Sequence, residues 1–170
     1  MEAKPIKDSR VVQTDLVLPN DTNNHDTLFG GILMKRIDAV ASIAASRHAR
    51  SEVITASTDS VDFLHPIRPS HSVCVESFVS WTGRSSMEVF VKVITEELNT
   101  GTRNIAATAF LTFVSIDGEG NPKPVPGVVP ESEEEAKLHE TGEGRAQARK
   151  ERRRDSRELA SFITLKKPWE

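Results

Sequence analysis

The chain has 170 residues, a mass of 18.8 kDa, a formal net charge of -3 and a pI near 6.0. That length fits one domain around one core, and the charge offers no general attraction to nucleic acid. A single cysteine, Cys74, excludes an internal disulfide, no apolar run approaches the roughly 20 residues that span a bilayer, and no apolar leader stands in the polar first ten residues. The expectation is a cytoplasmic protein that binds neither nucleic acid nor membrane.

Residues 1–10 are polar and expected to be loose. Val11 to Leu18 is short and rich in β-branched residues, as a strand requires, and Pro19 ends it. Asn20 to Thr27 (NDTNNHDT) consists almost wholly of residues that bond their own backbone, which predicts an ordered loop, with Asp26 or Thr27 capping the next element. From Leu28 to about His48, Phe29, Ile32, Leu33, Ile37, Val40, Ala41 and Ala44 recur at the three-four spacing of one helix face. The small side chains of Ala39, Ala41, Ala44 and Ala45 let that helix lie close to a sheet.

Four segments with a period near two follow: 53–63, 72–81, 87–95 and 104–116. Val73, Val75, Val79 and Trp81 are expected to share one side of the second, and Ile105, Ala107, Ala109, Leu111 and Phe113 one side of the fourth. The turn signals between them are short (His65-Pro66 with Pro69, Thr82-Gly83, Asn99-Thr100-Gly101), which predicts antiparallel pairing. Beyond the proline-bearing stretch 121–130, acid (Glu131 to Glu135) precedes base (Arg149 to Arg154), an order that suits a helix macrodipole and reads as a solvated charged helix rather than a nucleic-acid patch. The predicted class is α+β: a curved antiparallel sheet around one long apolar helix over 1–130, then a charged C-terminal helix and tail over 131–170. The sheet edges invite a second copy, so a dimer is expected.

Among residues able to carry chemistry, Asp38 lies inside the helix. It is either an aspartate at the rim of the apolar stripe, solvated or paired with Arg36 or Lys35, or a carboxylate facing a wet cleft. Gly30 and Gly31 stand at the helix start, where unpaired N–H groups can hold an oxyanion, or where two glycines merely ease packing. His25 is a loop histidine, surface polar or a base. Cys74 has no adjacent histidine, and His48, His65, His71 and His139 are too scattered for a metal site. Gly83-Arg84-Ser85-Ser86 is an ordinary hairpin turn or a phosphate contact, and Arg68 and Arg103 are weaker candidates for such a contact.

Taken together, NDTNNHDTLFGGILMKRID, STDSVDFLHP (57–66), Thr82 to Ser86 and Ala109 to Val114 resemble, in order, the hotdog-fold acyl-CoA thioesterases of the bacterial short-chain and brain acyl-CoA hydrolase branch. The resemblance covers roughly residues 10–130. It implies a hotdog fold and hydrolysis of acyl-CoA to a free acid and CoA, in fatty acid metabolism. Asp38 would be general base or nucleophile, Asn23 would orient the reacting groups, and the Gly30-Gly31 region would stabilise the oxyanion. It implies contacts to CoA from Ser57, Gly83, Arg84, Ser85 and Ser86, no cofactor beyond the CoA of the substrate, and sites shared between subunits of a trimer of dimers, a hexamer. Two other readings remain: a hotdog enoyl-CoA hydratase, which Asp21-Thr22-Asn23-Asn24-His25 echoes with a spacing one residue short, and a non-catalytic acyl-CoA sensor whose basic run contacts a partner.

Overall fold

The computed structural model describes residues Met1–Glu170. The first ten residues are not loose. β1 (Lys4–Pro5) and a 3-10 turn (Ile6–Ser9) lead into β2 (Val11–Leu16). Ile6 is fully buried, and Ser9 Oγ accepts from the Val79 N–H at 2.9 Å. One buried isoleucine and one hydroxyl that satisfies a sheet donor hold a segment whose composition is otherwise polar.

After a 3-10 turn at Pro19–Asp21 come α1 (Gly30–Ala49), β3 (Glu52–Phe63), β4 (His71–Thr82), β5 (Ser86–Glu97), β6 (Thr102–Ile116), β7 (Val128–Val129), α2 (Glu133–Glu140) and α3 (Gly142–Phe162). The main sheet has the order β2-β4-β5-β6-β3 and is antiparallel throughout; β1 and β7 form a separate parallel pair. Leu33, Ile37, Val40, Ala41, Ala44, Ala45 and His48 are buried, and α1 touches all five strands. Five strands spaced about 4.8 Å span about 19 Å, roughly twice the width of a helix, so a sheet that reaches α1 with every strand must curve around it. This is the hotdog arrangement that the resemblance implies.

The start of α1 differs from expectation. Phe29 occupies the N-cap position and has no oxygen to cap with; Asp26 is in the left-handed region (φ 53) and the Thr27 hydroxyl is engaged by Asn23. Phe29 itself is 54% exposed, off the core stripe.

Two strand faces also differ, each because of a bulge. Between Val79 and Trp81 the pairing with β5 slips by one residue, so Trp81 lies opposite Glu88 and leaves the side that Val73, Val75 and Val79 share. In the same way Ile105 lies opposite Ile94 while Ala107 lies opposite Val93, which takes Ile105 off the helix-facing side and leaves it 43% exposed.

The face turned away from α1 is a second packed layer. Phe78, Phe90 and Phe110 meet along it in tilted contacts with ring centroids 5.6 and 5.2 Å apart, and α2 and α3 pack against β4. The charged tail is two helices rather than one, separated at Thr141. Ser132 and Glu135 form a capping box at the start of α2, and the buried Glu135 also accepts from Arg10 at 2.5 Å. At the sheet, α3 buries Gly142 and Ala146, places the Arg145 guanidinium 4.3 Å from the Phe110 ring centroid, and pairs Arg145 (2.8 Å) and Arg149 (3.2 Å) with the buried Glu88. A carboxylate in the middle of a sheet requires such partners. Solvated character holds from Glu151 to Glu170, where every residue is exposed.

Candidate active site

Asp38 is on the exposed side of α1, and its Oδ1 accepts from the Thr55 hydroxyl of β3 at 3.2 Å. The alternative pairing with Arg36 does not occur: Arg36 turns to Asp21, at 3.0 Å. Thr55 lies opposite Phe113 in the β3–β6 ladder, and Phe113 faces the core, so the threonine points to the helix side of the sheet. A bulge at Ala56 then carries Ser57 to the other face, opposite Thr112. Sequence reasoning missed Thr55. Its position in a β-branched strand pattern carries no functional signal, and only the packing of β3 on α1 places its hydroxyl beside Asp38.

Asn23 sits elsewhere. Its Oδ1 accepts from the backbone N–H groups of His25 (2.9 Å) and Thr27 (3.3 Å), and its Nδ2 donates to the Thr27 hydroxyl (3.0 Å). The side chain thus organises its own loop as an Asx turn. That loop, Gly30, and the residues from Phe63 to Ile67 surround a cavity of about 400 Å³. The N–H groups of Gly30 and Gly31 donate to no acceptor within the chain, and no side chain caps α1, so the positive end of the helix is open for an oxygen from outside. Asp38 is eight residues further along, about 12 Å up the helix axis. One protomer therefore brings Asn23 and Gly30 together, with Gly31 beside them, and holds Asp38 with Thr55 apart.

The Gly83–Ser86 turn is held by backbone hydrogen bonds. The Gly83 N–H bonds the Ser86 carbonyl at 2.8 Å, while the Arg84 and Ser85 carbonyls accept from Val125 and Ser115, each at 2.9 Å. Gly83, Arg84, Ser85, Ser86 and Ser57 line one cavity of about 510 Å³ on the outer face of the sheet, beneath α3. Arg68 and Arg103 do not line it; Arg103 pairs with Glu96 at 2.8 Å. His25 is exposed, and its ring makes no hydrogen bond. His48 is buried at the other end of α1 with Nε2 donating to the Pro126 carbonyl at 2.8 Å; burial holds its pKa below the ordinary histidine value despite that bond. Its role is to tie α1 to the segment before β7.

The profile of the thioesterase superfamily matches residues 25–102. An uncharacterized acyl-CoA thioester hydrolase of Bacillus subtilis is 60% identical over 168 residues, 99% of this chain and 98% of that one. The chain belongs to the thioesterase superfamily. Within the superfamily, an acyl-CoA hydrolase of Staphylococcus aureus, solved with butyryl coenzyme A, coenzyme A and coenzyme A disulfide, is 42% identical with a TM-score of 0.91 over 94% of this chain and 98% of that one. Variants of that enzyme with alanine in place of one asparagine, one aspartate and one threonine have also been solved. Those three positions are 15 and 17 residues apart, the separations of Asn23, Asp38 and Thr55 here. An acyl-CoA thioesterase solved as an apo hexamer is 47% identical with a TM-score of 0.87, covering 89% of this chain and 97% of that one.

Proposed function

We propose that this protein hydrolyses the thioester of acyl-CoA to a free carboxylic acid and CoA. The observation that carries the proposal is Asp38, a carboxylate left free of cationic partners on the exposed side of the central helix and steadied by the Thr55 hydroxyl. Asp38 takes a proton from water as the water oxygen adds to the thioester carbonyl, or adds to that carbonyl itself and is released by water through an anhydride. The carbonyl oxygen becomes an oxyanion, which the free N–H groups at the start of α1 are suited to accept. As the carbonyl re-forms the C–S bond breaks, and CoA leaves as a thiolate; with a thiol pKa of about 8.5 it needs little acid assistance. The reaction needs no cofactor, CoA being part of the substrate.

Asp38 and Gly30 of one chain are too far apart to hold one carbonyl, which supports a site built from two chains: Asp38 and Thr55 from one, the Asn23 loop and the helix start from the other. Edge strand β3 offers the contact. Its outward backbone is unpaired, and Ile54, Phe63 and Leu64 along or just beyond it are each at least 50% exposed. Dimers so formed assemble as three around a threefold axis, in line with the hexamer of the 47% identical relative. Arg84 and the neighbouring turn residues bind the nucleotide end of the substrate. The protein acts in the cytoplasm, in fatty acid metabolism.

The hydratase reading loses its acid-base pair, since Asp21 is committed to Arg36 and His25 stands in solvent. The sensor reading loses part of its basic run, because Arg149 and Arg152 are committed to acids of the sheet. Crotonyl-CoA tests the choice: release of free thiol together with crotonate is the expected result, and formation of a 3-hydroxyacyl-CoA without thiol release overturns it.

A further inference from the structure

The cations of α3 divide by direction. Arg145, Arg149 and Arg152 repeat at i, i+4 and i+7, turn to the sheet, and are neutralised there by Glu88 and Asp59. Lys150 and Arg153 stand one residue further round. Neither makes a hydrogen bond or an ion pair through its side chain, and neither does Arg84 of the turn opposite. These three free cations share the cavity of about 510 Å³, and of its 15 lining residues five are cationic and none is acidic. In a chain with a net charge of -3 this is a local positive field. Trp81, Val114 and Ala146 contribute an apolar floor. A small inorganic anion needs no such floor, whereas a phosphorylated nucleoside needs both apolar surface for its base and cations for its phosphates.

We infer that α3 forms one wall of the site for the 3′-phosphorylated ADP end of CoA, with Lys150 and Arg153 facing Arg84 across the phosphates. The inference rests on the acyl-CoA hydrolase reading and extends it to the C-terminal segment. That segment lies wholly outside the span that the superfamily profile matches, residues 25–102. Ala56 and Ser57 of β3, directly after Thr55, line the cleft, so the strand that contributes to it also bears the hydroxyl beside Asp38.

The test uses the full-length protein carrying Lys150→Ala and Arg153→Ala together, with Lys150→Gln and Arg153→Gln as a second pair. Two thioesters of one acyl chain are compared, the CoA ester and the pantetheine ester, alongside calorimetric binding of adenosine 3′,5′-bisphosphate. The expected result is a KM for the CoA ester raised roughly tenfold or more with kcat nearly unchanged, the pantetheine ester unaffected, and binding of the bisphosphate weakened by a similar factor. The unaffected pantetheine ester shows that the variant is folded, and the glutamine pair stands in for the alanine pair if that one does not fold. An unchanged KM and unchanged bisphosphate affinity overturn the inference and leave the hydrolase reading intact. Wild-type protein that binds the bisphosphate through Lys150 and Arg153 but hydrolyses neither ester keeps the cleft and overturns the hydrolase reading.

Discussion

Asp38 and Thr55 act at the scale of single groups. Replacing Asp38 by Asn keeps the shape and the ability to accept from Thr55 but removes the proton acceptor, so kcat for acyl-CoA should fall roughly a hundredfold or more with the fold retained. Thr55→Val removes one hydroxyl at nearly constant volume and should cost less, about tenfold, because the carboxylate stays and only its orientation loosens. Thiol release under saturating substrate measures both, and near-wild-type turnover in Asp38→Asn would remove that carboxylate from the mechanism. Asn23 differs in kind. Its bonds to His25 and Thr27 make it a loop organiser, so Asn23→Ala should act through displacement of the loop as well as through any contact with substrate.

At the scale of elements, the contact between the two C-terminal helices and the sheet sets both stability and the shape of the cationic cleft. A Cβ on Gly142 would fall 2.5 to 2.7 Å from Cδ1, Cγ and Cβ of Trp81. Those atoms lie at the root of the side chain and cannot swing away, so Gly142→Ala should destabilise the fold by about 1–3 kcal/mol in urea unfolding. Glu135 holds α2. Burial alone would raise its pKa, but hydrogen bonds from the Glu131 N–H, from Arg10 and from the Ser132 N–H outweigh burial and hold it below the ordinary glutamate value. A folded pKa below the unfolded one means that the stabilisation is complete above about pH 4.5 and is lost as pH falls through the folded value. Glu135→Gln should therefore cost about 1–3 kcal/mol at pH 7. The gap between variant and wild type should narrow below pH 4, and a gap independent of pH would exclude the charge of Glu135 as its source.

At the scale of the whole molecule, the separation of Asp38 from the Asn23 loop means that the proposed two-chain site would require assembly. Mixing inactive Asn23→Ala and Asp38→Asn proteins and allowing subunits to exchange should restore about a quarter of wild-type activity, since half of random dimers are mixed and each mixed dimer has one intact site of two. No recovery despite demonstrated exchange would place both residues in one subunit's site. Separated protomers should be inactive for the same reason.

The long helix, the five strands in order and the short antiparallel connections were legible in the sequence because periodicity is a local property that each face imposes on its own residues. Asp38 was legible as an expensive residue in a helix, and the loop and turn motifs as co-ordered signals of one family. Two things were not. The faces of Trp81 and Ile105 depend on bulges, where a one-residue slip against a neighbouring strand reverses the side without any mark in the alternation. The partnerships of Thr55 with Asp38, of Ile6 with the core, and of α3 with Glu88 and Asp59 depend on which elements pack together. The residues of those contacts are 17 or more positions apart, and nothing local distinguishes the arginines of α3 that the sheet neutralises from Lys150 and Arg153, which it leaves free.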